Sequence, residues 1–427
     1  MKKIVMVLFL IPIMVYSQKI EVKNSKYRRS SLHTFLLETN EFPEGEKEVV
    51  INAYKSAPFP AKYNDHTIKE GIINPSQYWI DENEIPEGLS SNEQKRVLEK
   101  NINKVNTELI IDKYFKDKKI ANQLIAKWFN RSEEGLFDMS LVEERGFYDA
   151  SKTDIANAEK TTRGVNSVLD NSEELIKNTF VIVNKLKYVS NEVAAKAVHL
   201  TATKAASELK NIIAQKIAQK AADVIYNKTR KGYSVWTTSY LYQLDWNKEN
   251  STKFYQDFWM DVNTGTLEDK KEFDTLNLFS LNLIGSQSSS NIILFTGGKT
   301  TDTKEKVITK ATIRNVEKVF AKLQKEYDVF KTKSPIQFDE DEIYVEIGLK
   351  EGVDKNTKFE ALEAYYDEVT GETTYKRIAT LKVNKNKIWD NQFGATDDPK
   401  NKAALLKGTY LKGCKNCYEG ILIRQIK

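Results

Sequence analysis

The chain has 427 residues, with 65 Lys and Arg against 60 Asp and Glu, and only two cysteines. A mixed, near-neutral charge, interspersed over most of the chain, gives no electrostatic case for nucleic acid, and two cysteines exclude a disulfide framework. The fold must therefore rest on hydrophobic burial, and the length fits two to four domains.

The first residues are MKKIVMVLFLIPIMVYSQ. Lys2 and Lys3 precede an apolar run from Ile4 to Val15, too short to cross a bilayer comfortably. Val15 and Ser17 are compact residues before a cleavage point, so residues 1–17 read as a secretory signal peptide and Gln18 as the mature N-terminus. No cysteine follows the run to carry a lipid. The expected location is outside the cytoplasm: periplasmic, associated with the outer membrane, or on the cell surface.

Residues 18–135 read as a Pro-rich arm followed by a helical region. Pro43, Pro58, Pro60, Pro75 and Pro86 forbid long helices in the arm, while its aromatic residues argue that it is ordered. Ser90 with Glu93 and Ser91 with Gln94 offer capping boxes, and Leu98, Ile102, Val105 and Leu109 then continue as one amphipathic helix. Ala121, Leu124, Ile125, Trp128 and Phe129 mark a second helix, stopped at Gly135.

Residues 136–333 read as an α/β domain. LFDMSLVEERGFY alternates loosely, and residues 153–176 read as helix. NTFVIVNKLKYVS and YSVWTTSYLYQLDW are strands by composition, NIILFT is a short buried strand, and 304–330 is a helix. The 192–230 segment is Ala-rich and free of Gly and Pro, with Leu209, Ile213, Ile217, Ala221 and Ile225 stepping by four. It reads as one long helix or as two turned on each other, which could pack on its own sheet, insert among a partner's helices or lie on a membrane surface; its small residues favour packing or oligomerisation over membrane binding. Its lysines exclude a transmembrane span.

Residues 334–427 contain short alternating strands only. They suggest a small β-barrel, SH3-like in strand count, or a sandwich. The expected fold class is therefore a multidomain α+β or α/β protein with a small all-β module at its C-terminus.

Cys414 and Cys417 form a C-x-x-C pair in a Gly-flanked turn. A zinc site needs four ligands, and His33, His66 and His199 are neither near the pair nor spaced as ligands. A thiol-redox pair needs a helix N-terminus to lower its pKa, which two flanking strands do not provide. In an oxidising compartment a disulfide pinning the turn is the expected state. Gly298-Lys299-Thr300 imitates the end of a phosphate loop, but Ile293 stands where the leading glycine is needed. Asp339, Glu340, Asp341 and Glu342 lack the spacing of a calcium loop. His66 beside Asp65, and Tyr78 with Trp79 beside Asp81, Glu82 and Glu84, are the candidate ligand-facing groups. No catalytic, cofactor-binding or metal-binding residue is assigned.

The signal, RSSLHTFLLE, the RGFYDAS turn and EELIKNTFVIVNKLKYVS together resemble uncharacterised exported proteins of Bacteroidota. The resemblance implies a Gram-negative envelope and brings no activity. The expected function is a non-enzymatic structural or protein-interaction component of the envelope. Its partner would be another envelope protein or itself, reached through the 192–230 helix. A carbohydrate-binding or carbohydrate-active protein is the second reading, with a glycan as ligand, and a thiol-redox factor the third.

Overall fold

The computed structural model describes residues 28, 30–42, 45–148, 172–262, 264, 266–294, 303–366 and 373–426. The expected signal peptide, most of the helix expected over 153–176, the Gly298–Thr300 loop and the DEVTGET turn lie outside the described residues.

Two sheets organise the chain. The first is mixed and has the order β2-β1-β4-β5-β6, with β3 also pairing β1. Strand β1 (Ser31–Leu37) runs parallel to β2 (Asn64–Asp65), β3 (Ile72–Ile73) and β4 (Thr179–Ser190). Strands β4, β5 (Gly232–Leu244) and β6 (Leu281–Leu294) are antiparallel. β1, SLHTFLL, is buried along nearly its whole length, its polar Ser31 and His33 included, because both faces of the sheet are covered. Leu32, Ile182 and Leu241 meet Leu323 and Phe330 on one face, where α11 (Lys304–Glu326) lies with α1 (Lys47–Lys55). Phe35, Val181, Val183 and Tyr242 point the other way. They pack on α2 (Ser91–Val97), α3 (Thr107–Asp117) and α4 (Ile120–Trp128). The first body is thus a helix–sheet–helix sandwich.

Beyond α4 the chain continues through α5 (Ser140–Tyr148) and α6 (Ser172–Lys177). An aromatic cluster at one end of the sheet ties these helices to α9 (Lys248–Lys253) and α10 (Leu267–Thr275). It includes Phe129, Phe137, Trp246, Phe254 and Phe273. Between β4 and β5 stand α7 (Asn191–Ser207) and α8 (Ile212–Thr229), packed on each other.

The second sheet is antiparallel, in the order β7-β13-β10-β11-β12-β9-β8. Its edge strands β7 (Lys333–Pro335) and β8 (Gln337–Asp339) are separated only by Ile336, which is fully buried. The amide of Ile336 donates to Ile421 O (2.9 Å), and its carbonyl accepts from Gly420 N (3.1 Å). One bent segment therefore supplies both edges, and the sheet nearly closes into a barrel around Val345, Phe359, Leu381 and Ile423. β9 (Glu342–Val345), β10 (Lys358–Tyr366), β11 (Thr373–Val383), β12 (Thr409–Lys412) and β13 (Leu422–Ile426) complete it. The acidic run is the β8–β9 turn, where Asp339 pairs with Glu342 in register and accepts from Lys407 (2.6 Å) and Tyr410 (2.6 Å).

The outer face of α11 holds the barrel. Arg314 Nε donates to Phe393 O (2.9 Å), Lys310 Nζ to Gly394 O (3.0 Å), and Glu317 accepts from Phe393 N (3.3 Å).

Several local expectations need correction. Ser90 does cap α2 with Glu93 as a reciprocal box, but the helix ends at Leu98 instead of running on to Leu109. Asn103 and Asn106 break it: Asn103 Oδ1 accepts from Val105 N (2.8 Å), and Asn106 Nδ2 donates to Asn101 O (2.8 Å). Their short amides take over backbone groups that a continuing helix would pair. Residues 140–148 form helix α5 rather than an alternating segment, and Asp138 receives Ser140 N (2.9 Å) just before it. The short buried strand expected at NIILFT is the end of the 14-residue β6, where Ile292 is 65% exposed. β1 lies in the stretch expected as a loop-rich arm and pairs with β4, which follows position 135.

Candidate functional site

Each residue singled out in the sequence has a defined place. His66 follows β2 and is completely buried. Its Nε2 lies 2.8 Å from Leu124 O, and its Nδ1 lies 2.9 Å from Arg145 Nη1. A carbonyl only accepts and a guanidinium only donates, so Nε2 carries the hydrogen and the ring is neutral. Burial, then the Arg145 charge, hold its pKa well below the usual histidine range. Arg145 also lies over the Trp128 ring at 4.7 Å and donates to Asp65 O (3.0 Å). The Asp65 side chain turns to Thr67 N (2.9 Å) instead. His66 therefore ties β2 to α4 and α5, and presents no face to a ligand.

Tyr78 is 5% exposed, its ring edge-on to Tyr114 and its hydroxyl donating to Asp117 Oδ2 (3.0 Å). Trp79 packs partly against the α2–α4 core. Of the neighbouring acids, Glu84 is occupied, accepting from Asp81 N (2.9 Å) and Lys113 Nζ (2.6 Å). Cys414 and Cys417 are disulfide-bonded in the turn between β12 and β13, half-buried against the barrel core. Among the described residues no group of three or more His, Cys, Asp or Glu could hold a metal ion.

The α7–α8 hairpin carries a run of exposed apolar residues. Residues 208–211 break the Ala-rich segment in two. Asn211 caps α8 by accepting from Ile213 N (2.8 Å) and Ala214 N (3.2 Å). Gln215 Nε2 closes the turn onto Ser207 O (3.1 Å) and Leu209 O (2.7 Å). His199 Nε2 meets Asp223 Oδ1 (2.7 Å) across the pair, and Ala206 and Ala222 are buried. These contacts fix which side of α8 faces α7. At 100° per residue, Ile213, Ile217, Val224 and Ile225 fall on the remaining side. They are 71%, 66%, 46% and 53% exposed, and Ile212 at the tip is 68% exposed.

Charge is concentrated on the same element. Residues 191–231 contain eight Lys and Arg and three Asp and Glu. That surplus of five equals the excess for the whole chain, so the remaining residues balance at 57 of each sign. Summed over the chain, the charges look evenly mixed; only a count by segment finds the basic hairpin. On the sheet face opposite α11, Trp236 (51%) and Val189 (38%) are also exposed nearby. Among the described residues no helix is long and apolar enough to cross a membrane.

No family model matches the chain, and no curated protein matches it.

Proposed function

We propose that the protein is a non-enzymatic component of the cell envelope that docks on an anionic lipid surface through the α7–α8 hairpin. The observation that carries this reading is the coincidence on one element of an exposed apolar stripe and the chain's whole excess of positive charge. A helix with apolar residues on one side and flanking lysines lies in the boundary between headgroups and acyl chains, held by both terms. Four half-exposed aliphatic side chains contribute about 1 kcal/mol each on burial. Each Lys near an anionic surface adds about 1 kcal/mol. A second copy of the chain fits less well, because it would bring two basic hairpins together.

Export to a Gram-negative envelope, suggested by the N-terminal sequence, belongs to this proposal. So does the SH3-like character of the C-terminal barrel. In this reading the barrel and the sandwich form the body that the hairpin holds at the membrane.

The test is sedimentation of mature 18–427 with vesicles of phosphatidylglycerol and phosphatidylcholine, against pure phosphatidylcholine. Binding is expected to the anionic vesicles and to weaken with salt. In Ile213→Glu/Ile217→Glu it should fall about 100-fold, from roughly 3 kcal/mol of lost burial and added repulsion. Equal binding to neutral vesicles, or an unaffected double variant, would reject the reading.

A further inference from the structure

A cavity of about 390 Å³ lies where the sandwich meets the barrel. Its floor is the sheet face that α11 covers, and the sequence of that floor accounts for the space. Along β1 the residues on this face are Leu32, Thr34 and Leu36; along β4 they are Ile182, Asn184 and Leu186. A short side chain thus interrupts each apolar row. Thr34 pairs with Ile182 and Leu36 with Asn184, so the two short residues lie diagonally across neighbouring strands. Over them the proline-rich loop after α1 forms one wall, and α11 forms the other with Ile313, Val316 and Phe320. Protein interiors keep few voids larger than a water molecule. A space of this size, at the seam between two bodies, is that of a small-molecule site.

The polar groups of the lining are spent within the protein. Asn184 Oδ1 accepts from Ser239 Oγ, and its Nδ2 donates to Tyr54 Oη (2.9 Å), which donates to Phe35 O (3.0 Å). Tyr63 Oη donates to Phe330 O (2.7 Å) and accepts from Gln324 Nε2 (3.1 Å). The charges on the barrel side are paired as well, Lys350 with Glu317 (3.6 Å) and Lys62 with Glu346 (3.9 Å). Glu351 accepts from Gly348 N (2.8 Å) and Asn391 Nδ2 (2.7 Å). Lys55 and Pro58 line the cavity and are exposed, so they mark its mouth.

A charged ligand would give up its hydration here and find these groups already engaged, a cost that an uncharged one does not meet. We propose that this cavity binds a small uncharged apolar molecule, with its body against Ile182, Val316 and Phe320 and any hydroxyl in the water at the mouth. The volume sets the size. A dry cavity of about 150 Å³ holds one benzene ring, so this one takes a medium-length chain or a few rings and excludes a diacyl lipid. The proposal is independent of membrane docking, because no hairpin residue lines the cavity.

The experiment is calorimetric titration of mature 18–427 with decanol, decanoate and decylamine at neutral pH, each below its solubility or micelle limit. Decanol should bind one to one, and at least about 10-fold more tightly than either ion. Val316→Trp should abolish decanol binding by filling the cavity, and Ala57→Trp fills it from the loop side. Hydrogen exchange of the unaltered chain locates the site without any variant. Saturating decanol should slow the Ala57 and Tyr63 amides, which bond within the loop, and leave those of Ile213 and Ala214 unchanged. Ile213→Glu/Ile217→Glu should bind decanol normally. Absence of saturable decanol binding, equal or tighter binding of either ion, or binding that survives a folded cavity-filling variant would each overturn the proposal. So would protection that misses the loop, or binding lost with the hairpin stripe.

Discussion

His33 sits inside the sandwich, 1% exposed, in the strand that the rest of the first sheet is built around. Its Nδ1 accepts from Ile68 N (3.4 Å), and burial lowers its pKa to about 4. The Lys127 charge adds to the lowering, while a hydrogen bond at Glu70 and the Asp65 charge oppose it. The unfolded chain takes up a proton near pH 6.5, which the folded chain refuses until about pH 4. The associated stability is therefore complete above pH 6.5 and is lost as the pH falls toward 4, a loss of about 3 kcal/mol. His66 acts in the same direction. Urea titrations at pH 7.5 and 4.5 should show a smaller acid loss in His33→Gln, by about 2–3 kcal/mol, whatever the variant costs at neutral pH. An unchanged loss would mean that His33 titrates freely. Neither histidine could be placed from the sequence. His66 in a Pro-rich loop beside an Asp looks the same whether it faces solvent or, as here, Arg145 and a helix carbonyl.

At the scale of elements, the sequence was legible where a pattern was long and the local residues agreed with it. β4 and β5 carry β-branched and aromatic residues throughout, and α11 keeps its apolar stripe over 23 residues. It failed where a short polar side chain overrides a period. Asn103 ended α2 although Leu98, Ile102, Val105 and Leu109 continued the stripe, and Asn211 decided between one long helix and two. Asn211→Ala should cost about 1 kcal/mol of local stability, the usual price of a lost cap. Hydrogen exchange would show it as roughly 5-fold less protection at the Ile213 and Ala214 amides, with β4 and β5 unchanged. Equal protection would place the restraint on α8 elsewhere, for instance in the His199–Asp223 contact. The hairpin's stripe was visible in the stepping of Ile213, Ile217 and Ile225. Its exposure was not, because the same spacing serves a helix buried on its own sheet.

At the scale of the molecule, two bodies are joined along α11. Thermal unfolding of the intact chain should be one transition. Lys310→Ala/Arg314→Ala, which removes the bonds to Phe393 and Gly394, should separate the barrel from the sandwich into two. A single transition in that variant would show that the cavity walls alone couple the bodies. Within the barrel, Cys414→Ser/Cys417→Ser should destabilise by about 2 kcal/mol, because the disulfide closes a loop of only four residues. A loss of the barrel fold in urea-free buffer would contradict that. The cavity was not legible in the sequence at all. Thr34, Ile182, Val316 and Lys350 meet only once the sheet, the helix and the barrel are assembled, and no local period marks them.

The account stands most directly on how α8 meets a lipid surface. Single cysteines placed at position 217, on the exposed stripe, and at position 219, on the other side of α8, can each carry an environment-sensitive fluorophore, since the native pair is disulfide-bonded. On adding phosphatidylglycerol vesicles, the label at 217 should shift to the blue and become protected from an aqueous quencher, while the label at 219 should stay wet. No shift at 217, or equal shifts at both positions, would contradict membrane docking through the apolar stripe.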